Sequence, residues 1–222
     1  MSSLTLKKAC FVIASLPKTI FFNLKTFGIS GIRCPVLVSY KTKITETHKG
    51  VIKIERMKPF SITVGYGGSA GIVSKSYSEI CLEKNSLLIF LGKAHFAEGC
   101  SIRNSGKMRI GSRFSMNKNS FLSCYNYISI GDDFSSGWEV NIRDSDGHYI
   151  IKNGERKPLS YPVHIGNKVW ICSCSDVLKG VSIGDSCVVA YRSLVTKKFP
   201  ESNVMIAGTP AQVVQTEIDW ES

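Results

Sequence analysis

Val163-His164-Ile165-Gly166-Asn167-Lys168-Val169-Trp170-Ile171 opens the stretch that decides the fold, and Leu194-Val195-Thr196-Lys197 closes it. Its aliphatic positions Ile165, Ile171, Val177, Ile183, Val189 and Val195 fall six apart without a slip. The residue four further on in each block (Val169, Ser175, Val181, Cys187, Ser193) is always small or branched. No α-helix wants a period of six, and a hairpin has no reason to keep one over this length. A chain that turns a corner every six residues does. The aliphatic then points into a narrow triangular core, the small residue fits beside a corner, and Gly166 or Gly184 eases the turn. Three blocks make one coil, and stacked coils satisfy each other's backbone hydrogen bonds. The pattern predicts an all-β fold, a parallel β-helix.

Working outward, the period recurs upstream at Ile110, Met116, Leu122 and Ile128, with Phe114, Ser120 and Asn126 at the fourth offset. After a two-residue shift it resumes at Ile130, Ser136, Ile142 and His148, with Phe134 and Val140 inside. The segment Leu82–Ile102 alternates only loosely and is expected to hold the first coils. One segment refuses the period: 149–162 (YIIKNGERKPLSYP) is polar at its centre, with Asn153-Gly154, and reads as a loop extruded from the coil. The expected organisation is an N-terminal arm over 1–40, a β-helix over 41–208 and a tail over 209–222.

The composition suits a soluble globular chain, with 43% hydrophobic and 20% charged residues. The formal charge of +11 is concentrated at the start: residues 1–58 hold eleven Lys and Arg against Glu46 and Glu55. Such a basic flank attracts an anionic partner: a membrane surface, nucleic acid or a phosphorylated substrate. No nucleic-acid-reading motif accompanies it. Lys7-Lys8 and the apolar run from Ala9 to Leu16 imitate a signal peptide, but the run is short, Pro17 ends it and no cleavage site follows. It is also well below the ~20 residues that cross a bilayer. The expectation is a basic amphipathic arm lying on the body or on a membrane surface. The eight cysteines include no C-x-x-C pair and no His at zinc spacing, so they read as free thiols of a reducing cytoplasm, with no metal site.

His148 stands where the repeat would place an aliphatic, at the root of the extruded loop; a broken local rule marks a candidate site. From position alone it could be a general base, a metal ligand or a packed residue bonded to backbone. Asp144 and Asp146 would share its face under strand alternation, free to orient the ring or bind acceptor hydroxyls, or serving only as turn formers.

The blocks from Val163 to Ile171, Leu178-Lys179-Gly180-Val181-Ser182-Ile183-Gly184-Asp185, Leu194–Lys197 and Ala207-Gly208-Thr209-Pro210-Ala211, taken in order, resemble the hexapeptide-repeat acyltransferases. The likeness is to the galactoside, maltose and polysaccharide O-acetyltransferases, over roughly Ile110 to Val214. The start (Leu16–Asn23, then Pro35–Val38) is similar to the arm of the polysaccharide branch. The resemblance implies a left-handed β-helix, a homotrimer, acetyl-CoA as co-substrate in a groove between subunits, and His148 as catalytic base. It implies coenzyme contacts at Trp170, Ser173, Thr196 and Lys197. Trp138 falls beside the expected groove, where it would meet substrate, orient the base or serve only in packing. The chain departs from the family pattern at Cys172, at Ala190-Tyr191-Arg192 and at Gln212, and Tyr191 puts a large side chain into the coenzyme groove.

A sugar hydroxyl is a poor nucleophile at neutral pH, and an imidazole can take its proton and return it to the leaving thiolate. No cysteine stands where an acyl-enzyme would need it, so transfer is expected to be direct. The resulting expectation is an acetyl-CoA-dependent O-acetyltransferase on a sugar hydroxyl of a glycan or polysaccharide precursor, cytoplasmic or at the inner membrane face. Its alternatives are an N-acetyltransferase on an amino sugar and a non-catalytic β-helix scaffold. A three-histidine zinc enzyme on the same fold is disfavoured because His95, His148 and His164 are widely scattered.

Overall fold

The computed structural model describes residues 3–74 and 77–221, with side chains of the first helix from residue 9 onward. Residues 1 and 2 of the expected arm, Lys7 and Lys8 as side chains, and Ser222 of the expected tail lie outside this description. Among the described residues, three long sheets of nine, seven and six strands run the length of the molecule. The chain visits them in a fixed order: Ser135–Ser136 in the first, Asn141–Arg143 in the second, Val163–Ile165 in the third, then Trp170–Ile171 back in the first. Pairing along each coil stack is parallel, and the fold is a left-handed parallel β-helix.

Both periodic series found in the C-terminal stretch are buried throughout, from Ile165 and Val169 to Ser193 and Val195. There Trp170 lies over Val188 and Asp176 over Leu194, eighteen residues on, which is three blocks of six. Upstream the coil is longer. Phe121 pairs with Asn141, and Lys107 with Tyr127, twenty residues apart. The extra pair lengthens the strands Phe121–Cys124 and Tyr127–Ile130, so each sends two side chains inward. Cys124 therefore takes the inward place expected of Asn126, which sits exposed on a corner.

Two corner devices explain the residues that follow the aliphatics. Gly131 and Gly166 are required by proximity: a Cβ on Gly131 would come within 2.6 Å of the Gly166 backbone, and one on Gly166 within 2.8 Å of the Gly184 backbone. The next residue supplies an acceptor. Asn167 Oδ1 receives the backbone N–H of Asp132 at 2.9 Å, and Asp185 Oδ1 that of Asn167 at 2.6 Å. Each side-chain oxygen thus satisfies a donor one coil away, which a simple turn cannot do.

The β-helix begins earlier than Leu82. Its first strand is Val36–Val38, inside the stretch expected as arm, and pairs with Ile62–Val64. After Val64 the chain leaves the stack, in an excursion whose glycines (Gly65, Gly67, Gly68, Gly71) adopt positive φ. This hid the first coils from a reading based on periodicity.

The open end of the first coil is covered by the helix Ser3–Phe27. Its Ser15, Thr19 and Asn23, one face at i, i+4 and i+8, are fully buried and bond the edge strand. Asn23 accepts the Val36 N–H at 3.1 Å and donates to the Val36 carbonyl at 2.6 Å. Thr19 Oγ1 accepts the Val38 N–H at 3.0 Å, and Ser15 Oγ that of Tyr40. Side chains of a helix here take the place of a neighbouring strand, and the exposed edge that would invite aggregation is removed. At the other end, Ala211–Gln215 pairs antiparallel with Met205–Gly208 and closes the first sheet.

Candidate active site

Three edges join the three sheets. The first edge, where the chain passes from first to second sheet, stacks Glu139, Cys174 and Arg192, all with φ between 56° and 61°. This left-handed residue aims the preceding side chains outward along one line. Trp138, Trp170, Cys172, Ser173 and Tyr191 line a cavity of about 420 Å³ there. Ser173 is the most constrained: its Oγ accepts the Trp138 N–H at 3.2 Å, and a Cβ on Gly137 would come within 2.5 Å of the Ser173 nitrogen. Four of the expected site residues, Trp138, Trp170, Ser173 and Tyr191, are thus gathered in one place.

Two walls of this cavity escaped the sequence. The glycine-rich excursion supplies Ser69, whose N–H donates to Asn117 Oδ1 at 3.0 Å, at the upper end of the groove. The C-terminal tail supplies Trp220. Its ring lies 5.9 Å from that of Trp170, and its indole N–H donates to the Lys168 carbonyl at 2.8 Å. Lys168 Nζ in turn holds Asp219 at 2.6 Å, and that contact with the ammonium keeps the Asp219 carboxyl below its ordinary range. Glycines at 65, 67, 68 and 71 and a lone tryptophan near the end were the only signals available. Neither says which coil it will meet.

Cys172, half-buried in the groove, is pushed upward by burial, so its thiol stays protonated and a weak nucleophile at neutral pH.

The second edge, between second and third sheets, carries the other expected residues. Here the structure favours the second of the two readings of Asp144, the turn former. The side chain is fully buried at the end of Asn141–Arg143, and its carboxylate accepts the backbone N–H groups of Tyr125, Asn126 and Tyr127, each at 2.7 Å. It anchors the corner of the preceding coil and does not face His148. Asp146 points elsewhere too: its carboxylate is 2.5 Å from Lys179 Nζ, which also donates to the Pro158 carbonyl at 2.8 Å. Strand alternation fails because the coil is already left behind at Ser145, which bridges Ser160.

The excursion thus starts before Tyr149, and His148 lies within it rather than at a core position; Val163 and Ile165 take the inward places. Its outer part is a hairpin, Ile151–Lys152 against Glu155–Arg156, turned by Asn153 and Gly154 with φ 52° and 79°. Two successive positive φ values are what a tight hairpin turn demands. His148 is exposed, and among the described residues its ring has no hydrogen-bond partner. Thr196 and Lys197 lie on this same edge two coils on, exposed, with Lys197 Nζ donating to Gln212 Oε1 at 2.5 Å. Neither lines the cavity of the first edge. His95 and His164 are on other faces, hydrogen-bonded to Thr63 and Ser129 respectively. Burial lowers the His95 pKa.

Fold and edge residues define a hexapeptide-repeat β-helix with an outward groove, and the comparisons agree. The chain is 36% identical over 111 residues to the galactoside O-acetyltransferase of Escherichia coli, which covers 49% of this chain and 53% of that protein. It is 29% identical over 219 residues to an uncharacterized 24.8 kDa protein in the cps region of Klebsiella pneumoniae, covering 96% of this chain and 90% of the other. Among solved structures, the polySia-specific acetyltransferase NeuO matches 84% of the chain, and 79% of its own, with a TM-score of 0.53 and 21% identity. No family model matches the chain. The chain spans about half the length of the first curated relatives it matches. In sequence the chain resembles the galactoside O-acetyltransferase over about half its length, and in fold it is similar to the solved hexapeptide-repeat structure.

Proposed function

We propose that the protein is an acetyl-CoA-dependent O-acetyltransferase that transfers the acetyl group directly to a sugar hydroxyl of a glycan precursor, with His148 as general base. The observation that carries the proposal is the cavity of the first edge, which gathers Trp138, Trp170, Ser173 and Tyr191 beside a protonated Cys172. Its aromatic walls and small hydroxyls suit an extended thioester arm. Lys197, on the second edge, offers a point charge to a phosphate once released from Gln212.

In one chain the aromatic groove and the second-edge group of His148, Thr196 and Lys197 lie on different edges. A homotrimer about an axis parallel to the β-helix would bring the second edge of one subunit to the first edge of the next and join the two groups. In that arrangement the His148 imidazole takes the proton of the acceptor hydroxyl as its oxygen attacks the thioester carbonyl. The tetrahedral intermediate then collapses, the C–S bond breaks, and the imidazolium returns the proton to the thiolate. Asp146 and Lys179 would serve by fixing the root of the excursion that carries the base. Such an enzyme belongs where glycans are assembled, and the basic N-terminal arm is the segment able to hold it there.

Calorimetry with acetyl-CoA, followed by incubation with candidate glycans and mass spectrometry of the products, tests the reading. The expected result is binding and a gain of one acetyl group, lost again in mild alkali as an ester is. An alkali-stable product would transfer the proposal to amino sugars, and absence of coenzyme binding would sink it.

A further inference from the structure

The helix Ser3–Phe27 wears its amphipathicity inside out. The face toward the β-helix carries four fully buried, uncharged polar residues, Ser15, Thr19, Asn23 and Thr26, beside one buried aromatic, Phe22. The face toward solvent is apolar: Ile13, Ile20, Phe21 and Leu24 are spaced i, i+7, i+8 and i+11, one stripe of a helix, and all are exposed. The following 3-10 turn, Gly28–Arg33, adds Ile29 and Ile32, 91% and 77% exposed. A helix on a protein surface ordinarily turns its apolar stripe inward, so this one is oriented for a second apolar medium. The capping hydrogen bonds explain how that is possible: the polar stripe is spent on the edge strand, which leaves the apolar one outside.

The aromatic residues also divide in a way the sequence did not show. Phe22 is buried, Phe27 packs against the core, and Phe11 stands against Tyr40 at 4.9 Å and Tyr66 at 5.4 Å. Only Phe21 of the four belongs to the outer stripe. Charge identifies the medium. Residues 1–45 contain seven Lys or Arg and no Asp or Glu. Exposed Lys25 and Arg33 border the stripe, and Lys25 Nζ lies 5.9 Å from the Phe21 ring centroid. Among the described residues, no helix is long and apolar enough to cross a membrane.

We infer that Ile13, Ile20, Phe21, Leu24, Ile29 and Ile32 insert into the outer part of an anionic lipid monolayer, with the helix lying in the plane of the surface. Lys25 and Arg33 then meet lipid phosphates at the rim, and the polar stripe stays bonded to the first coil. The protein stands on the membrane by the N-terminal end of its β-helix. This deepens the part given to the arm in the functional reading, yet it is independent of acetyl transfer and can be measured without turnover.

The test is cosedimentation of the full chain with phosphatidylcholine vesicles, with and without phosphatidylglycerol. The wild type should pellet with the anionic vesicles and stay largely in solution with the neutral ones. The variant I13S/I20S/F21S/L24S alters exposed side chains only, and it should bind the anionic vesicles about a hundredfold more weakly. Lys25→Glu and Arg33→Glu should each cost about fivefold. Circular dichroism and sedimentation velocity, unchanged by the substitutions, would show that the fold and assembly survive. Undiminished binding by the serine variant, equal binding to neutral vesicles, or no vesicle binding at all would overturn the inference. So would a larger assembly of the wild type that the serine variant dissolves, since the stripe would then be covered by a second copy.

Discussion

The first and second edges of this β-helix are built from the same repeat and do different things with it. On the first, a residue with positive φ (Glu139, Cys174, Arg192) holds the chain tight at each of three successive coils, and the side chains just before it line up into a groove. On the second, the coil opens between Asp144 and Val163 and lets a hairpin and a histidine out. A groove thus comes from regularity, and the exposed histidine from its interruption. Interruption needs an anchor, and Asp144 is that anchor, fastening three backbone donors of the coil before the chain departs.

The sharpest way to separate the edges is at His148. Replacing it with Ala should lower turnover by roughly 10²–10⁴ while leaving melting temperature and coenzyme affinity unchanged; near wild-type turnover would remove it from the chemistry. Asp144, four residues earlier, should behave in the opposite sense. Asp144→Ala leaves three donors without their acceptor and should destabilise the fold by about 2–4 kcal/mol, read as a lowered denaturant midpoint. A variant of full stability but no activity would instead make Asp144 a residue of the site.

On the first edge, Trp220→Ala should weaken coenzyme binding about fivefold to tenfold with little change in kcat, because the indole forms a wall and not a reacting group. Unchanged affinity would show that the tail stands clear of the groove. The smallest effect expected is that of acid on the tail. The Asp219 carboxyl is held below its ordinary range by Lys168, so the clasp is complete above that range and is lost as pH falls through the depressed value. Tryptophan fluorescence should report release of Trp220 from Trp170 in acid, and Asp219→Asn should abolish that transition.

The legible part of the fold was the part made of repeats. From Ile165 to Val195 the period of six identified the inward side chains one by one, because a triangular coil leaves no choice about which side chain meets the axis. At Asn126 the reading failed, since two extra residues in a coil of twenty shift the inward position to Cys124 and periodicity cannot locate an insertion within the coil that holds it. The first coils failed for a stronger version of the same reason: the excursion after Val64 separates the partners Ile62 and Ala94 by more than one ordinary coil.

The site was legible in pieces. Trp138, Trp170, Ser173 and Tyr191 could be named from sequence and meet in the structure, since residues on one edge recur with the period itself. Asp144 could be named as a carboxylate near His148 but not as a buried acceptor, because strand alternation holds only while the strand continues, and it ends at Arg143. Trp220 and Ser69 could not be named at all.

The sequence by itself therefore determined what repeats: the coil, its core, the line of residues along each edge and the resemblance to a family of acetyltransferases. Only the tertiary structure decided where the non-repeating segments go. A repeat encodes its own neighbours at a constant offset, whereas the N-terminal helix, the glycine-rich excursion and the tail meet partners at separations no local pattern records. The polar stripe of the helix is the plainest case. Ser15, Thr19 and Asn23 look like an ordinary solvent face until an open strand edge, with unpaired N–H and C=O groups, is found beneath them.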